Sequence, residues 1–290
     1  MPILNYRKAP VVLVLAGHDP SGGAGLSADI EAIRAQQVWA VTVATALTVQ
    51  DTRKVYQVQA VDAHLIEAQA QKLSEDFNIA AIKIGLVPNL AVLEVIVRIL
   101  DAHPKVPVVL DPVLRSGAGQ AMSDAHLLPA LAHHLIAYAH IATPNTLELA
   151  ALAQAKTPNL VAEVGTPLAT QATASGLQYP DEHQAQQAYA LLQRGCHAVL
   201  VTGTHADSPA VKNTLYQSDV PPITHRWSRL DNEYHGSGCT LASALAARLA
   251  LGEPLEVACL SAQDYTWRAL HAAYQIGQGQ LLPQRLFNNP

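Results

Sequence analysis

Residues 235–243 read His-Gly-Ser-Gly-Cys-Thr-Leu-Ala-Ser and are the most informative stretch of this chain. A serine between two glycines predicts a tight turn, and the Ala- and Leu-rich residues 240–251 predict a helix after it. The free N–H groups and the positive dipole end of that helix favour a bound anion, usually a phosphate. Because Cys239 stands at this helix N-terminus, we expect its pKa to be lowered. The alternative is a glycine turn before a buried, inert cysteine.

Short β-branched runs alternate with amphipathic segments of helix length along the rest of the chain. This alternation predicts βαβ units, and therefore an α/β fold with a mainly parallel sheet covered by helices on both faces. The expected strands are 11–16, 40–47, 80–84, 106–111, 141–143 and 198–202. The expected helices are 26–36, 63–77, 90–102, 124–137, 147–154, 182–194, 240–251 and 255–276.

The length and the composition narrow the class of protein. We expect one domain over residues 1–290, with a surface insertion at about 156–180, where Thr, Pro, Ala and Gly show little periodicity. The net charge is −5, which argues against nucleic acid or an anionic membrane as a partner. No apolar run reaches the roughly 18 residues of a membrane span. Three cysteines without a CxxC motif favour a reducing, cytoplasmic location.

Polar residues gather at the predicted carboxyl ends of the strands, where parallel sheets bind their ligands. Asp111 ends one strand, Asn145 ends the next, and Glu148 follows three residues later. An Asp and a Glu at neighbouring strand ends can hold Mg²⁺ through waters. The alternative is that Asn145 caps the helix and Glu148 completes a capping box. The two roles are compatible.

The first strand is followed by a glycine loop, residues 17–25, which reads Gly-His-Asp-Pro-Ser-Gly-Gly-Ala-Gly. Gly23, Gly25 and Ala28 match the G-x-G-x-x-A dinucleotide fingerprint formally. However, an Asp-Pro-Ser turn separates these glycines from the strand, and no acidic residue follows about 20 positions on at a strand end. We therefore interpret the loop as a wall that lets a small planar ligand approach the backbone.

Two further residues are candidates for contact with such a ligand. Asp29 lies in the first helix, where an acid is usually solvated but can hydrogen-bond amino or hydroxyl groups. Gln50 follows the second strand, and its amide suits a heterocycle that both donates and accepts hydrogen bonds. The chain has no Walker P-loop, HExxH or G-x-S-x-G motif, so any use of ATP would not involve a P-loop.

In this order, these segments resemble the hydroxymethylpyrimidine/phosphomethylpyrimidine kinases of thiamin biosynthesis, within the ribokinase-like superfamily. In the wider superfamily the anion-binding motif usually carries an Asp at the position of Cys239. With a Cys at this position, the chain resembles the pyrimidine-kinase branch of the superfamily. The matching segments are 16–29 (AGHDPSGGAGLSAD), 46–52 (ALTVQDT), 83–86 (KIGL), 110–113 (LDPV), 143–148 (TPNTLE) and 235–241 (HGSGCTL).

The resemblance implies a ribokinase-like homodimer that uses ATP and Mg²⁺. It would phosphorylate 4-amino-5-hydroxymethyl-2-methylpyrimidine on its hydroxyl, and then the resulting monophosphate. Cys239 would face the hydroxymethyl group, while Asp111 and Glu148 would hold Mg²⁺. The residues implied for the pyrimidine are Gly17, Asp29, Gln50, Leu86 and Val113. Those implied for ATP and phosphate are Asn145, Thr202, Gly236, Ser237 and Gly238.

The chain departs from the family pattern at several positions. Thr202 stands where many relatives have a lysine that contacts the nucleotide. The loss of this lysine affects the expected affinity for phosphate but not the expected reaction class. Asp51 replaces a frequent Asn, Ser237 a frequent Thr, and Leu86 a frequent Met. Two alternatives stay open: a pyridoxal/pyridoxine kinase, and a non-catalytic sensor of pyrimidine or nucleotide. An intact Cys239 together with Asp111 argues against the sensor.

Overall fold

The computed structural model of this chain describes residues 8–114, 127–157, 182–203 and 209–287. The strands are β1 Val11–His18, β2 Trp39–Gln50, β3 Val55–Ala60, β4 Ile79–Ile84, β5 Val108–Leu110, β6 Ile141–Ala142, β7 Ala198–Val201, β8 Ala210–Gln217 and β9 Val220–Ser228. The helices are α1 Gly25–Ala35, α2 Ala63–Asp76, α3 Leu90–Asp101, α4 Leu127–Ala130, α5 Thr146–Gln154, α6 Glu182–Gln193, α7 Ser237–Ala250 and α8 Leu255–His271.

Within these ranges the strands form one nine-stranded sheet in the order β3-β2-β1-β4-β5-β6-β7-β8-β9. Neighbouring strands from β2 to β7 pair in parallel. They correspond to the six strands expected from the sequence, which confirms the α/β prediction. The strands β3, β8 and β9 pair antiparallel at the two edges and were not expected. Edge strands keep polar side chains on one face, so they lack the continuous apolar run of a buried strand.

Helices cover both faces of the sheet, as expected. Successive side chains of β1 point to opposite faces, so Leu13 and Leu15 join one core cluster while Val12 and Val14 join the other. The first cluster packs under α2, α3, α5 and α6, and the second under α1, α7 and α8. All four side chains are fully buried. Burial on both faces therefore explains why β1 is an unbroken apolar run.

Several expected boundaries shift. The helix expected at 124–137 is α4 followed by a π-helical turn at Leu131–Leu135 and a 3₁₀ turn at Ile136–Tyr138, and residues 124–126 lie outside the described ranges. Helix α7 begins at Ser237 rather than at 240, so Cys239 lies inside its first turn. Of the expected insertion at 156–180, residues 158–180 lie outside the described ranges. None of the described helices combines the length and apolar character needed to cross a membrane.

Candidate active site

The expected phosphate site lies at the N-terminus of α7, which we call the anion turn (residues 235–239). Gly236 caps the helix with φ of 74°, a left-handed conformation that favours glycine. A Cβ at this position would lie 2.1 Å from the carbonyl oxygen of Gly23, so glycine is also required by space. The first hydrogen bond of the helix runs from Thr240 N to Gly236 O. The amides before it are those that a helix N-terminus leaves for a ligand.

A second helix N-terminus meets the anion turn. Helix α1 begins at Gly25, whose φ is 56° and whose Cβ would lie 2.2 Å from the Gly17 carbonyl oxygen. The backbone of Gly25 hydrogen-bonds the thiol of Cys239. The positive dipole ends of α1 and α7 therefore converge, which strengthens the attraction for an anion.

A buried ion pair lies beneath these two helix ends. Lys83 on β4 places its Nζ 2.8 Å from Asp29 Oδ1 on α1, and Ser243 of α7 donates to the same oxygen at 2.7 Å. Lys83 Nζ is also 4.0 Å from Asp111 Oδ2. Burial alone lowers the pKa of Lys83, but the charges of Asp29, Cys239 and Asp111 outweigh it and raise that pKa above its usual value. The lysine is therefore a permanent cation.

Lys83 lies in the matching segment 83–86, but the resemblance gave it no role in the site. A lysine in an otherwise apolar strand is a signal that could have identified it, because a buried charge needs partners. The structure also places Asp29 inside the protein: its side chain is fully buried and pairs with Lys83. The expected contact between Asp29 and the pyrimidine stays a prediction.

The expectation of a lowered pKa for Cys239 is wrong. Burial raises the pKa of this thiol to about 12, and the neighbouring charges of Asp111 and Asp29 raise it further, while Lys83 lowers it. A helix N-terminus stabilises a thiolate only where the loss of solvation is smaller than the dipole's contribution. At neutral pH Cys239 is therefore a protonated thiol, and it hydrogen-bonds the carboxylate of Asp111.

Asp111 and Glu148 lie close enough to influence each other. Burial raises the pKa of Asp111 to about 6, against the opposing effect of Lys83. Burial, followed by the charge of Asp111, raises the pKa of Glu148 to about 8. Oδ2 of Asp111 has no hydrogen-bond partner among the described residues. The buried Asp111, with an unpartnered oxygen, and the partly buried Glu148 both have raised pKa values, which fits a site that a cation would complete.

The structural role expected for Glu148 is confirmed. Asn145 Oδ1 accepts from the amides of Leu147 and Glu148, both at 2.9 Å, and Glu148 Oε2 accepts from the amide of Asn145 at 3.0 Å. This is a complete capping box for α5. Within the described ranges, no three His, Cys, Asp or Glu side chains form a group that could hold a metal. A Mg²⁺ site here would thus depend on phosphate oxygens and waters as well.

The residues expected to bind the pyrimidine ring mostly come together. Leu86 belongs to a small apolar cluster with Ala46 and Val55, and Val113 packs against it. A Cβ on Gly17 would lie 2.9 Å from Leu86 Cδ2, so glycine keeps this wall close. Gln50 ends β2 and opens on a cavity of about 420 Å³, whose lining residues are Pro20, Ser21, Gln50, Asp51, Thr52, Arg53, Gly277 and Gln278.

Two of the five residues expected to bind ATP and phosphate, Asn145 and Thr202, are neighbours outside the anion turn. Asn145 and Thr202 form an isolated parallel bridge beyond the ends of β6 and β7. The amide of Thr202 donates to Pro144 O at 3.0 Å. The next two residues, Thr204 and His205 beyond Gly203, lie outside the described ranges.

Sequence reasoning did not foresee the link between the glycine loop and the anion turn. Asp19 is buried and accepts hydrogen bonds from the amides of Ser21 and Ala24, both at 2.8 Å. His235 Nε2 lies 2.9 Å from the second oxygen of the same carboxylate. These contacts hold the pKa of Asp19 below its usual value, although burial alone raises it. The carboxylate therefore joins two loops that are more than two hundred positions apart.

This geometry agrees with comparisons to known proteins. The family model of phosphomethylpyrimidine kinase matches residues 19–284. The chain belongs to that family. The hydroxymethylpyrimidine/phosphomethylpyrimidine kinase of Rhizobium meliloti is 33% identical over 275 residues, which cover 93% of this chain and 94% of that protein.

Solved structures confirm the ribokinase-like fold of this family member. The phosphomethylpyrimidine kinase of Clostridium difficile superposes with a TM-score of 0.70 at 27% identity, covering 89% of this chain and 98% of that one. The pyridoxal kinase of Bacillus subtilis, solved as an ADP complex, superposes with a TM-score of 0.80 at 22% identity. The match covers 96% of this chain and 98% of the pyridoxal kinase. At that identity the second likeness shows the fold alone.

Proposed function

We propose that this chain transfers the γ-phosphoryl group of ATP to the hydroxyl of 4-amino-5-hydroxymethyl-2-methylpyrimidine, and then phosphorylates the monophosphate. The observation that carries this proposal is a convergence: the anion turn, the buried Asp111, the partly buried Glu148 and the apolar cluster around Leu86 lie at one edge of the sheet. Family membership supports the pyrimidine as the substrate. The ADP bound by the Bacillus subtilis pyridoxal kinase supports a nucleotide as the donor.

The reaction requires positioning and charge stabilisation more than covalent chemistry. We assign the amides of Gly236, Ser237 and Gly238 to the transferred phosphate, because the two helix ends meet there. Asn145 and Thr202 are assigned to the rest of the nucleotide. These assignments use backbone groups, which explains how a chain without a P-loop would bind ATP phosphates.

On the substrate side, Gly17, Leu86 and Val113 form an apolar wall for the pyrimidine ring. Gln50 would hydrogen-bond its polar edge. Cys239 of the anion turn is hydrogen-bonded to Asp111; as a protonated thiol it would orient the substrate hydroxyl, and the Asp111 carboxylate would accept the proton.

Asp111 and Glu148 are the residues that fit Mg²⁺. A bound Mg²⁺ would neutralise phosphate charge, and its charge would favour ionisation of both carboxyl groups. The capping box uses part of the Glu148 carboxylate, which leaves the Asp111 oxygen without a partner as the stronger candidate ligand.

We also propose a homodimer. Strand β3 is an edge of the sheet, and Val49 and Tyr56 on the β2–β3 pair are each 57% exposed. Unpaired edges and exposed apolar side chains are typical of surfaces that a partner covers. Light scattering tests this proposal, since a monomeric mass at micromolar concentration would contradict it.

The function is tested by ADP release with ATP, Mg²⁺ and one of three acceptors: the pyrimidine, its monophosphate or pyridoxal. We expect both pyrimidines to stimulate release, because the pocket and the family point to them. Release with pyridoxal alone would contradict the proposed specificity and identify a pyridoxal kinase. No stimulation by any acceptor, with nucleotide still bound, would identify a sensor.

The role of the thiol is tested by replacing Cys239. We expect Cys239→Ala to lower kcat about 100-fold, because the group that orients the hydroxyl is lost. Cys239→Ser keeps a hydrogen-bond donor to Asp111 and should recover most of that loss. The control is Cys259→Ala, which removes a fully buried thiol in α8, outside the anion turn. Full kcat in Cys239→Ala would show that the thiol only packs.

The metal assignment is tested by Mg²⁺ titrations of activity. We expect Asp111→Asn to raise the Mg²⁺ concentration needed for half-maximal rate, because a proposed ligand loses its charge. Asn89→Ala serves as the capping control, since it removes the cap of α3, a helix with no residue assigned to the site, and should cost about 1 kcal/mol of unfolding free energy. Glu148→Gln keeps an acceptor oxygen for the Asn145 amide but removes the charge, so an unchanged Mg²⁺ titration in this variant would show that Glu148 is a capping residue and not a ligand.

A further inference from the structure

The C-terminal segment contacts the turn between β2 and β3, the glycine loop and the anion turn, and we call residues 279–285 the clasp. Its amide at Gln280 donates to Thr52 O at 2.9 Å, two residues after Gln50. Its carbonyl at Leu281 accepts from the amide of His235, also at 2.9 Å. The clasp therefore connects the pyrimidine side of the site with the anion turn.

Arg285 ends the clasp with a buried guanidinium, 2% exposed as a residue. Its Nε donates to Thr240 Oγ1 at 2.9 Å, and Nη1 donates to Glu31 Oε2 at 3.0 Å. Its Nη2 donates to the carbonyl oxygen of Gly23 in the glycine loop. The hydroxyl of Tyr265 donates to the backbone carbonyl of Arg285 at 2.7 Å, which fixes the arginine in place. One side chain thus holds the glycine loop and α7 together.

The contact with Thr240 continues into the anion turn. Thr240 Oγ1 donates to the carbonyl oxygen of Gly236 at 2.8 Å, so the guanidinium, the hydroxyl and the turn form one hydrogen-bonded chain. A Cβ on Gly236 would lie 3.0 Å from Arg285 Nη2 and 2.1 Å from Gly23 O. The guanidinium therefore sets the spacing between two loops that are already in contact.

Stability alone is a weak reason for this arrangement. Desolvation of a guanidinium is costly, and apolar replacements of buried ion pairs are often neutral for stability or stabilising. Glu31, the acidic partner, is 42% exposed, so it compensates the charge only in part. The remaining donors of Arg285 serve neutral groups of the two loops that would bind the substrates.

We propose that Arg285 is a positioning residue for phosphoryl transfer, acting through Thr240 and Gly23 to hold the anion turn against the glycine loop. It does not touch the reacting atoms. The assignment rests on the proposed kinase function. It extends the functional part of the chain to the clasp, some forty residues beyond the anion turn.

The test is a double-mutant cycle in the full chain with Arg285→Met and Thr240→Val, measured as kcat for pyrimidine-dependent ADP release. We expect each single variant to lower kcat about 10–100-fold, since small misplacements have effects of that size. The double variant should lose no more than the worse single variant, because both changes break the same chain. Thr240→Ser, which keeps the hydroxyl, should recover most of kcat. Multiplicative losses in the double variant would overturn the proposal.

The control is Arg248→Met, which breaks the 3.0 Å pair with Glu253 at the other end of α7. It should lower the melting temperature without lowering kcat. If Arg285→Met does not fold, Thr240→Val alone still tests the hydrogen-bonded chain because it nearly preserves side-chain volume, and full kcat in that variant would overturn the proposal.

Hydrogen–deuterium exchange gives a readout that does not depend on catalysis. We expect Arg285→Met to increase exchange in residues 20–25 and 235–240 selectively, and Arg248→Met to leave both segments unchanged. Unchanged exchange in Arg285→Met would overturn the positioning role. A wild-type chain without ADP release would contradict the proposed function, and the exchange data would then decide the role of Arg285 separately.

Discussion

One buried cation determines how the site is assembled. The Nζ of Lys83 lies 2.8 Å from Asp29 on α1, and Ser243 of α7 donates to the same carboxylate oxygen. A charge without solvent must be compensated, so β4, α1 and α7 cannot shift relative to one another without a large energetic cost. Gly85 permits the arrangement, because a Cβ there would lie 2.8 Å from Lys83 Nζ. The pair of Lys83 and Asp29 therefore fixes the positions of the N-termini of α1 and α7, which meet at the anion turn.

The same cation sets the electrostatics of the site. Lys83 and two helix dipoles provide positive potential, while Asp29 and Asp111 provide negative charge in nearly complete burial. Lys83 opposes the rise in the pKa of both Asp111 and Cys239 that burial causes. An anion at the helix ends and a cation near Asp111 would each be balanced by a group that is already in place. The protein thus provides charges of both signs within a short distance, as phosphoryl transfer requires.

The sequence predicted the features that depend on local pattern. Apolar runs located the six parallel strands, and the glycines around Ser237 located the anion turn. Features that depend on distant pairs were not predictable, because a local pattern does not say which residue each partner meets in the fold: Asp29 with Lys83, Asp19 with His235, and Gly23 with Arg285. The pKa of Cys239 was predicted with the wrong sign, since the helix N-terminus is a local property whereas burial of the sulfur depends on the whole fold.

The central claim is that the buried Lys83 pair holds the site together, and equilibrium unfolding in denaturant tests it most directly. The comparison is Lys83→Met against Lys72→Met, which removes the exposed 2.6 Å pair with Glu75. Breaking a buried pair leaves a charge uncompensated, so the account predicts a loss of about 3–5 kcal/mol in unfolding free energy for Lys83→Met. Lys72→Met should stay within about 0.5 kcal/mol of the wild type. A loss of less than about 1 kcal/mol for Lys83→Met, with kcat retained, would contradict the account.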